Sequence, residues 1–210
     1  MAPHPDEIRK ACERLAADSD ALAAAYTAIG VPEWRQRPPT YHSLAQIIAY
    51  QQISTKAAST IWGRVEDIFG ERFSPACVLS TDDEHLRACG LSRPKTAYIK
   101  AIAEGFESGQ LDIEALQNLP HMVAQKRLVE TKGIGPWTAE IILLTVAGRI
   151  DAFPPGDVGL MESYRLLDGA ETRLSAKAFE ALSERWRPYR GVAAHLLWGW
   201  INAERDKAYP

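Results

Sequence analysis

The chain has 210 residues, 46% apolar and 24% charged, with a formal net charge of −3 at pH 7. That is the composition of a globular protein long enough for one generous domain. It excludes a bilayer-spanning segment, because no apolar run reaches the roughly 20 residues required, and it argues against a protein that coats nucleic acid through bulk positive charge.

The opening "MAPHPDEIRKACERLAAD" carries acids early and has no apolar centre, so it does not read as a signal peptide. From Pro5 the Ala/Leu-rich "PDEIRKACERLAADSDALAAAYTAI" has helical spacing of its apolar residues. "SLAQIIAYQQI" opens on Ser43 as an N-cap, and "STKAASTIWGRVEDIFG" runs from a second cap, Ser54, to Gly70. "SRPKTAYIKAIAEGFESG" starts at Ser92 and ends near Gly109. "LPHMVAQKRLVETKG" and "GPWTAEIILLTVAG" form a helix pair about a glycine turn. "GDVGLMESYRLL", "SAKAFEALSERW" and "PYRGVAAHLLWGWINAERD" complete the series. Proline and glycine fall between these segments, except for Gly191 and Gly199. No stretch alternates convincingly, so the expected class is all-α with short connections. The three cysteines, Cys12, Cys77 and Cys89, are odd in number and far apart. They suit neither a disulfide framework nor a metal or cluster site, so no metal or cofactor is expected, and a reducing cytoplasm is the natural compartment.

Lys132 to Pro136 reads K-G-I-G-P. Glycine opens backbone conformations closed to other residues and removes side chains that would hold a ligand away from the amides. Pro136 suits the first position of the second helix. The product is a helix-hairpin-helix whose exposed amides and helix N-terminus suit one phosphate, with Lys132 as a possible cation. A plain helical hairpin needing a tight turn is the competing reading. Downstream, in "GRIDAFPPGDVGLMESY", Asp151 and Asp157 are the only acids between Glu140 and Glu162. Asp157 is either a simple N-cap or a carboxylate set beside a nucleotide's sugar.

The stretch from Leu128 to Leu160 resembles the helix-hairpin-helix DNA glycosylases (the HhH-GPD superfamily), and within them 3-methyladenine DNA glycosylase II, the AlkA-type family. The resemblance is carried by "LAQIIAYQQISTKAASTIWGRV", by "LVETKGIGPWTAEIILL" with "FPPGDVGL", and by "RWRPYRGVAAHLLW", with "LSRPKTAYIKAIAEG" before the hairpin. It spans most of Tyr41 to Trp200. It implies one HhH-GPD domain over residues 1–210, with two helical lobes flanking a cleft, the hairpin at about 121–147 and the Gly/Pro-Asp loop at 151–157. Some relatives carry an N-terminal sheet domain. The first forty residues here read as helix, so the compact form is expected.

The resemblance implies excision of a flipped base from duplex DNA. Asp157 matches the catalytic Asp, stabilising positive charge on the sugar and orienting water. Trp137 and Trp198 match positions lining the base pocket, with Tyr41 as a weaker addition. Aromatic faces attract cationic alkylated purines. Trp198 also reads as a core residue of an apolar helix. In bifunctional relatives the position of Trp137 is a lysine that forms a Schiff base. Here it is tryptophan, so base release without strand cleavage is expected. Gln52 matches the wedge that fills the vacated stack, with Gln51 beside it, although both could end a helix in solvent. Gln51, Gln52, Lys132, Gly133, Ile134, Gly135 and Thr138 are the DNA-binding candidates. Cluster-bearing relatives have four cysteines after the catalytic region, where this chain has none. The expected partner is double-stranded DNA containing alkylated bases, met by a monomer at the bacterial nucleoid. The alternatives are another lesion (uracil, mismatched adenine or an oxidised purine) and a non-catalytic DNA-binding module.

Overall fold

The computed structural model describes residues 3–208. Its regular structure is helical, with no strand among the described residues. No helix among them is long and apolar enough to cross a membrane.

The first helical stretch is two helices, α1 (Pro5–Asp18) and α2 (Asp20–Ile29). Ser19 separates them with an extended backbone and caps α2 by accepting from Leu22 N. Periodicity alone misses this break because the apolar spacing continues through it. Helix α3 (Tyr41–Tyr50) is capped by Thr40, not by Ser43. The Ser43 amide donates to Thr40 Oγ1, and Ser43 itself is buried in the first turn. Helix α4 (Thr55–Phe69) begins at its Ser54 cap. Two short helices follow, α5 (Pro75–Ser80) and α6 (Asp83–Ala88). After α7 (Arg93–Glu107) comes another, α8 (Ile113–Gln117). These three are too short for a helical period to register in sequence. The chain continues through α9 (His121–Val129), α10 (Pro136–Thr145), α11 (Val158–Leu167), α12 (Ala176–Ser183) and α13 (Arg190–Ala208).

The helices form two compact units. One joins the residues up to Gln36 with those from Leu143 onward, and the other is the continuous segment Arg37–Ile142. In the discontinuous unit α1, α2 and α11 pack on α13. Ile8, Cys12, Leu15 and Leu22 are buried there, each worth roughly 1.5–3 kcal/mol for the larger side chains. A second cluster sets Phe153, Tyr164 and Trp186 around Phe179 at ring separations of 5.3–5.8 Å. Gly191 lies in the first turn of α13 because nothing larger fits: a Cβ there would stand 2.5 Å from Ile150 O. Its amide donates to that same oxygen at 2.8 Å. In the continuous unit α3 and α5 pack on α7, with Leu44, Ile48, Ile99 and Ile102 fully buried.

Candidate active site

The hairpin lies in the continuous unit. Helix α9 ends at Val129, the Ile134 amide bonds back to Thr131 O at 3.0 Å, and α10 begins at Pro136. Gly133 has φ +95, which favours glycine on conformational grounds. It is also pressed against α7: a Cβ at Gly133 would lie 2.4 Å from Tyr98 Cβ and Cγ. Ile134 is buried and anchors the turn, while Lys132 is exposed. The first amides of α10 belong to the groups that a helix cannot satisfy internally. Trp137, half-buried, occupies the second position of this helix.

Gln51 and Gln52 part company at the end of α3. Gln51 is half-buried, and its Nε2 donates to Thr138 Oγ1 at 2.8 Å and to Gly133 O at 3.5 Å. It ties the end of α3 to both sides of the hairpin turn. Gln52 is exposed and has φ +56, the one non-glycine residue with positive φ among those described. A bulky side chain held there stores local strain, a feature that gathers at functional sites. Tyr41 is 4% exposed, and its hydroxyl donates to Ile99 O at 3.3 Å. Burial pushes its phenol pKa up, and its ring packs on Phe73 and Phe106. It braces α3 against α7 within the core of this unit. Behind the hairpin the buried Glu140 accepts from His121 Nε2 and Gln125 Nε2, both at 2.8 Å, which joins α9 to α10.

The two acids of the Gly/Pro loop lie in the discontinuous unit and have different surroundings. Asp151 is a structural anchor. Arg190, 6% exposed, donates to it from Nε at 3.1 Å and from Nη2 at 3.0 Å, and its amide donates as well. Arg187 pairs with the same carboxylate, so Asp151 secures the start of α13. Asp157 is half-buried at the N-cap of α11. Its Oδ1 accepts from Leu160 N at 3.0 Å and from the Trp198 indole Nε1 at 3.1 Å.

Trp198 is 8% exposed on α13 and sits edge-on to His195 at 5.6 Å. His195 in turn stacks on Trp34 with ring centroids 4.1 Å apart and planes 17° from parallel. Its Nδ1 donates to Gly191 O at 2.7 Å. Burial, helped by the charge of Arg35, depresses its pKa to about 4, so the ring is neutral at pH 7 and Nε2 is left as an acceptor with no partner among the described residues. The Arg35 guanidinium lies over the Trp198 ring, 5.2 Å from its centroid. The contacts of Trp34 and Arg35 with His195 and Trp198 are not legible in the sequence. Their one signal is an aromatic and two arginines set among prolines in "VPEWRQRPP".

Residues 45–188 match the HhH-GPD superfamily of base excision DNA repair proteins. The chain belongs to that superfamily. Among HhH-GPD proteins it is 32% identical over 166 residues to DNA-3-methyladenine glycosylase 1 of Schizosaccharomyces pombe, covering 78% of this chain and 73% of that protein. A solved structure of the S. pombe 3-methyladenine DNA glycosylase in complex with abasic DNA superimposes with a TM-score of 0.82 at 29% identity, covering 90% of this chain and 95% of that one. The crystal structure of a Bacillus halodurans DNA-3-methyladenine glycosidase gives 0.79 at 32% identity, over 94% and 91% of the two chains. The all-α architecture is that of the HhH-GPD glycosylases.

Proposed function

We propose that the protein is a monofunctional DNA glycosylase that frees alkylated bases, 3-methyladenine among them, from double-stranded DNA. The observation that carries this reading is the Asp157 carboxylate, fixed by hydrogen bonds from Leu160 N and Trp198 Nε1 in a chain of this superfamily. Breaking the bond between base and sugar C1′ leaves positive charge on the sugar. A fixed carboxylate stabilises that charge without reorganising. The same carboxylate orients a water, whose oxygen bonds to C1′, and takes up the proton that the water loses. The base departs with the bonding electrons, and an abasic site remains. An alkylated purine already carries positive charge, so it leaves without a strong acid. Trp198, beside the carboxylate, supplies aromatic surface to such a ring. The hairpin grips a phosphate through the Gly133 and Gly135 backbone and the start of α10. Gln52 is the proposed wedge, and Gln51 with Thr138 holds its turn against the hairpin.

Trp137 supports release without strand cleavage. It stands where bifunctional relatives place their lysine, and an indole forms no Schiff base. The deciding experiment is base release from methylated duplex DNA by the native protein and by Asp157→Asn. Strand nicking is scored separately, without heat or alkali. Release by the native protein without nicking, together with DNA binding but no release by the variant, supports the reading. Binding by both proteins with no base freed by either would make the chain a binding module.

A further inference from the structure

Gly159 is the second residue of α11, two positions after Asp157. A Cβ there would stand 3.1 Å from Asp157 Oδ1, and 3.8 and 3.9 Å from Cδ1 and Nε1 of Trp198. The missing side chain therefore borders both partners of the bond from the indole to the carboxylate. Its surroundings leave little room for retreat. One turn along the same face of α11, the fully buried Ser163 donates from Oγ to Leu197 O at 2.8 Å, next to Trp198 on α13. Leu160, also fully buried, donates its amide to Asp157 Oδ1. The indole is itself buried and is braced edge-on by His195. The start of α11 is thus tied to α13 at the level of the carboxylate.

We propose that Gly159 is a positioning residue for base release: by carrying no side chain, it lets the Trp198 indole reach the Asp157 carboxylate and hold it. The proposal rests on the glycosylase reading given above. A methyl group at this position stands closer to Oδ1 than ordinary van der Waals contact, so the oxygen must give by a few tenths of an ångström. The bond from the indole is already 3.1 Å long, and a hydrogen bond weakens as it lengthens. Glycine is otherwise a poor choice here. It weakens a helix relative to alanine, and the backbone at Gly159 has no positive φ to demand it. The chain keeps a helix-weakening residue where a methyl group would press on the carboxylate.

The test compares native protein, Gly159→Ala, Trp198→Phe and the double variant. Single-turnover base release from methylated duplex DNA, duplex affinity, thermal melting and the indole N–H proton resonances are measured. The Trp198 resonance is assigned by its absence in Trp198→Phe. Gly159→Ala is expected to melt no lower than native and to bind duplex as native does. It should release bases roughly fivefold more slowly, the scale of one weakened hydrogen bond. Its Trp198 indole proton should move upfield, because a weaker hydrogen bond deshields that proton less. In the Trp198→Phe background the same substitution should slow release little further, since the bond it disturbs is already gone. A native rate in Gly159→Ala, an unmoved indole resonance, or losses that add in full in the double variant each overturn the proposal. So does a lower melting temperature, which makes Gly159 a packing residue between α11 and α13. A native protein that frees no base overturns the glycosylase reading instead, and the indole resonance then still reports whether Gly159 lets the bond form.

Discussion

The indole Nε1 of Trp198 donates to Asp157 Oδ1 at 3.1 Å, across 41 residues of chain. This bond gives Trp198 a task separate from the proposed contact with a base: it holds the carboxylate in place. Trp198→Phe keeps an aromatic face and removes the donor. The rate of base release should fall about tenfold or more, with duplex affinity held within a few-fold of native. Single-turnover rates set beside equilibrium binding check it, and an unchanged rate would show that Asp157 is oriented without the indole.

Asp151 and Asp157 should separate cleanly under the same substitution. Asp157→Asn retains an N-cap, because asparagine caps as well as aspartate. Stability should stay within about 1 kcal/mol while release falls by a factor on the order of 100 or more. Asp151→Asn removes one of the two carboxylates paired with Arg190, whose side chain is 8% exposed, and leaves it Glu184 alone. That costs about 1–2 kcal/mol, the scale of a lost charged hydrogen bond, and leaves turnover per folded molecule intact. Urea unfolding and active-site titration on both variants check the contrast.

His195 predicts the shape of the acid limb of stability. Its pKa is about 4 in the folded chain, against about 6.5 when exposed. Above pH 6.5 both states are neutral, and the residue adds no pH dependence. As pH falls from about 6.5 to about 4 the unfolded chain takes up a proton that the folded chain refuses, and stability drops. The loss levels off below about 4, at about 3 kcal/mol at most. His195→Phe keeps the stack on Trp34 and should flatten this part of the native profile. Denaturant midpoints at pH 7, 5.5 and 4.5 for both proteins measure the difference.

Gly133→Ala should disable the hairpin. The new Cβ meets Tyr98 at 2.4 Å, and the backbone there has φ +95. Neither defect relaxes without moving the turn, so a loss of about 2 kcal/mol in stability is expected, with weaker duplex binding. Calorimetry and a salt-dependent binding series check it.

Gln51→Ala removes the amide that joins the end of α3 to Thr138 and Gly133. Two polar acceptors lose a shared donor, for about 1 kcal/mol of stability. The exposed Gln52 beside it loses its support, so base release should fall further than stability accounts for. Thermal melts compared with release rates separate the two effects.

Much of this arrangement is legible in sequence because it rests on residue types with narrow conformational uses. Ser54, Ser92 and Asp157 cap the helices that their positions announce. Gly133 and Pro136 mark the hairpin for the same reason. Contacts between distant segments are not legible. Nothing local in "YQQIS" says that one glutamine turns onto the hairpin while the next is held exposed with positive φ. Asp151 and Asp157 look alike in the sequence, and the arginines that set Asp151 apart lie more than thirty residues onward. Trp34 and Trp198 acquire their meaning from His195 between them, a relation set by how α13 packs in its unit.

The discontinuous unit has a consequence for how the protein is made. A ribosome delivers α1 and α2 first, but their packing partners α11 and α13 emerge only after the whole continuous unit has been synthesised. Domains gather as units in the order in which they leave the ribosome. The segment Arg37–Ile142, with its hairpin, is therefore complete while the opening helices still wait with their apolar faces uncovered. Asp157 and Trp198 arrive in the last third of the chain, and the bond between them forms only when the final helix closes over the first two. Until then the newborn chain carries the hairpin without the carboxylate proposed to act beside it.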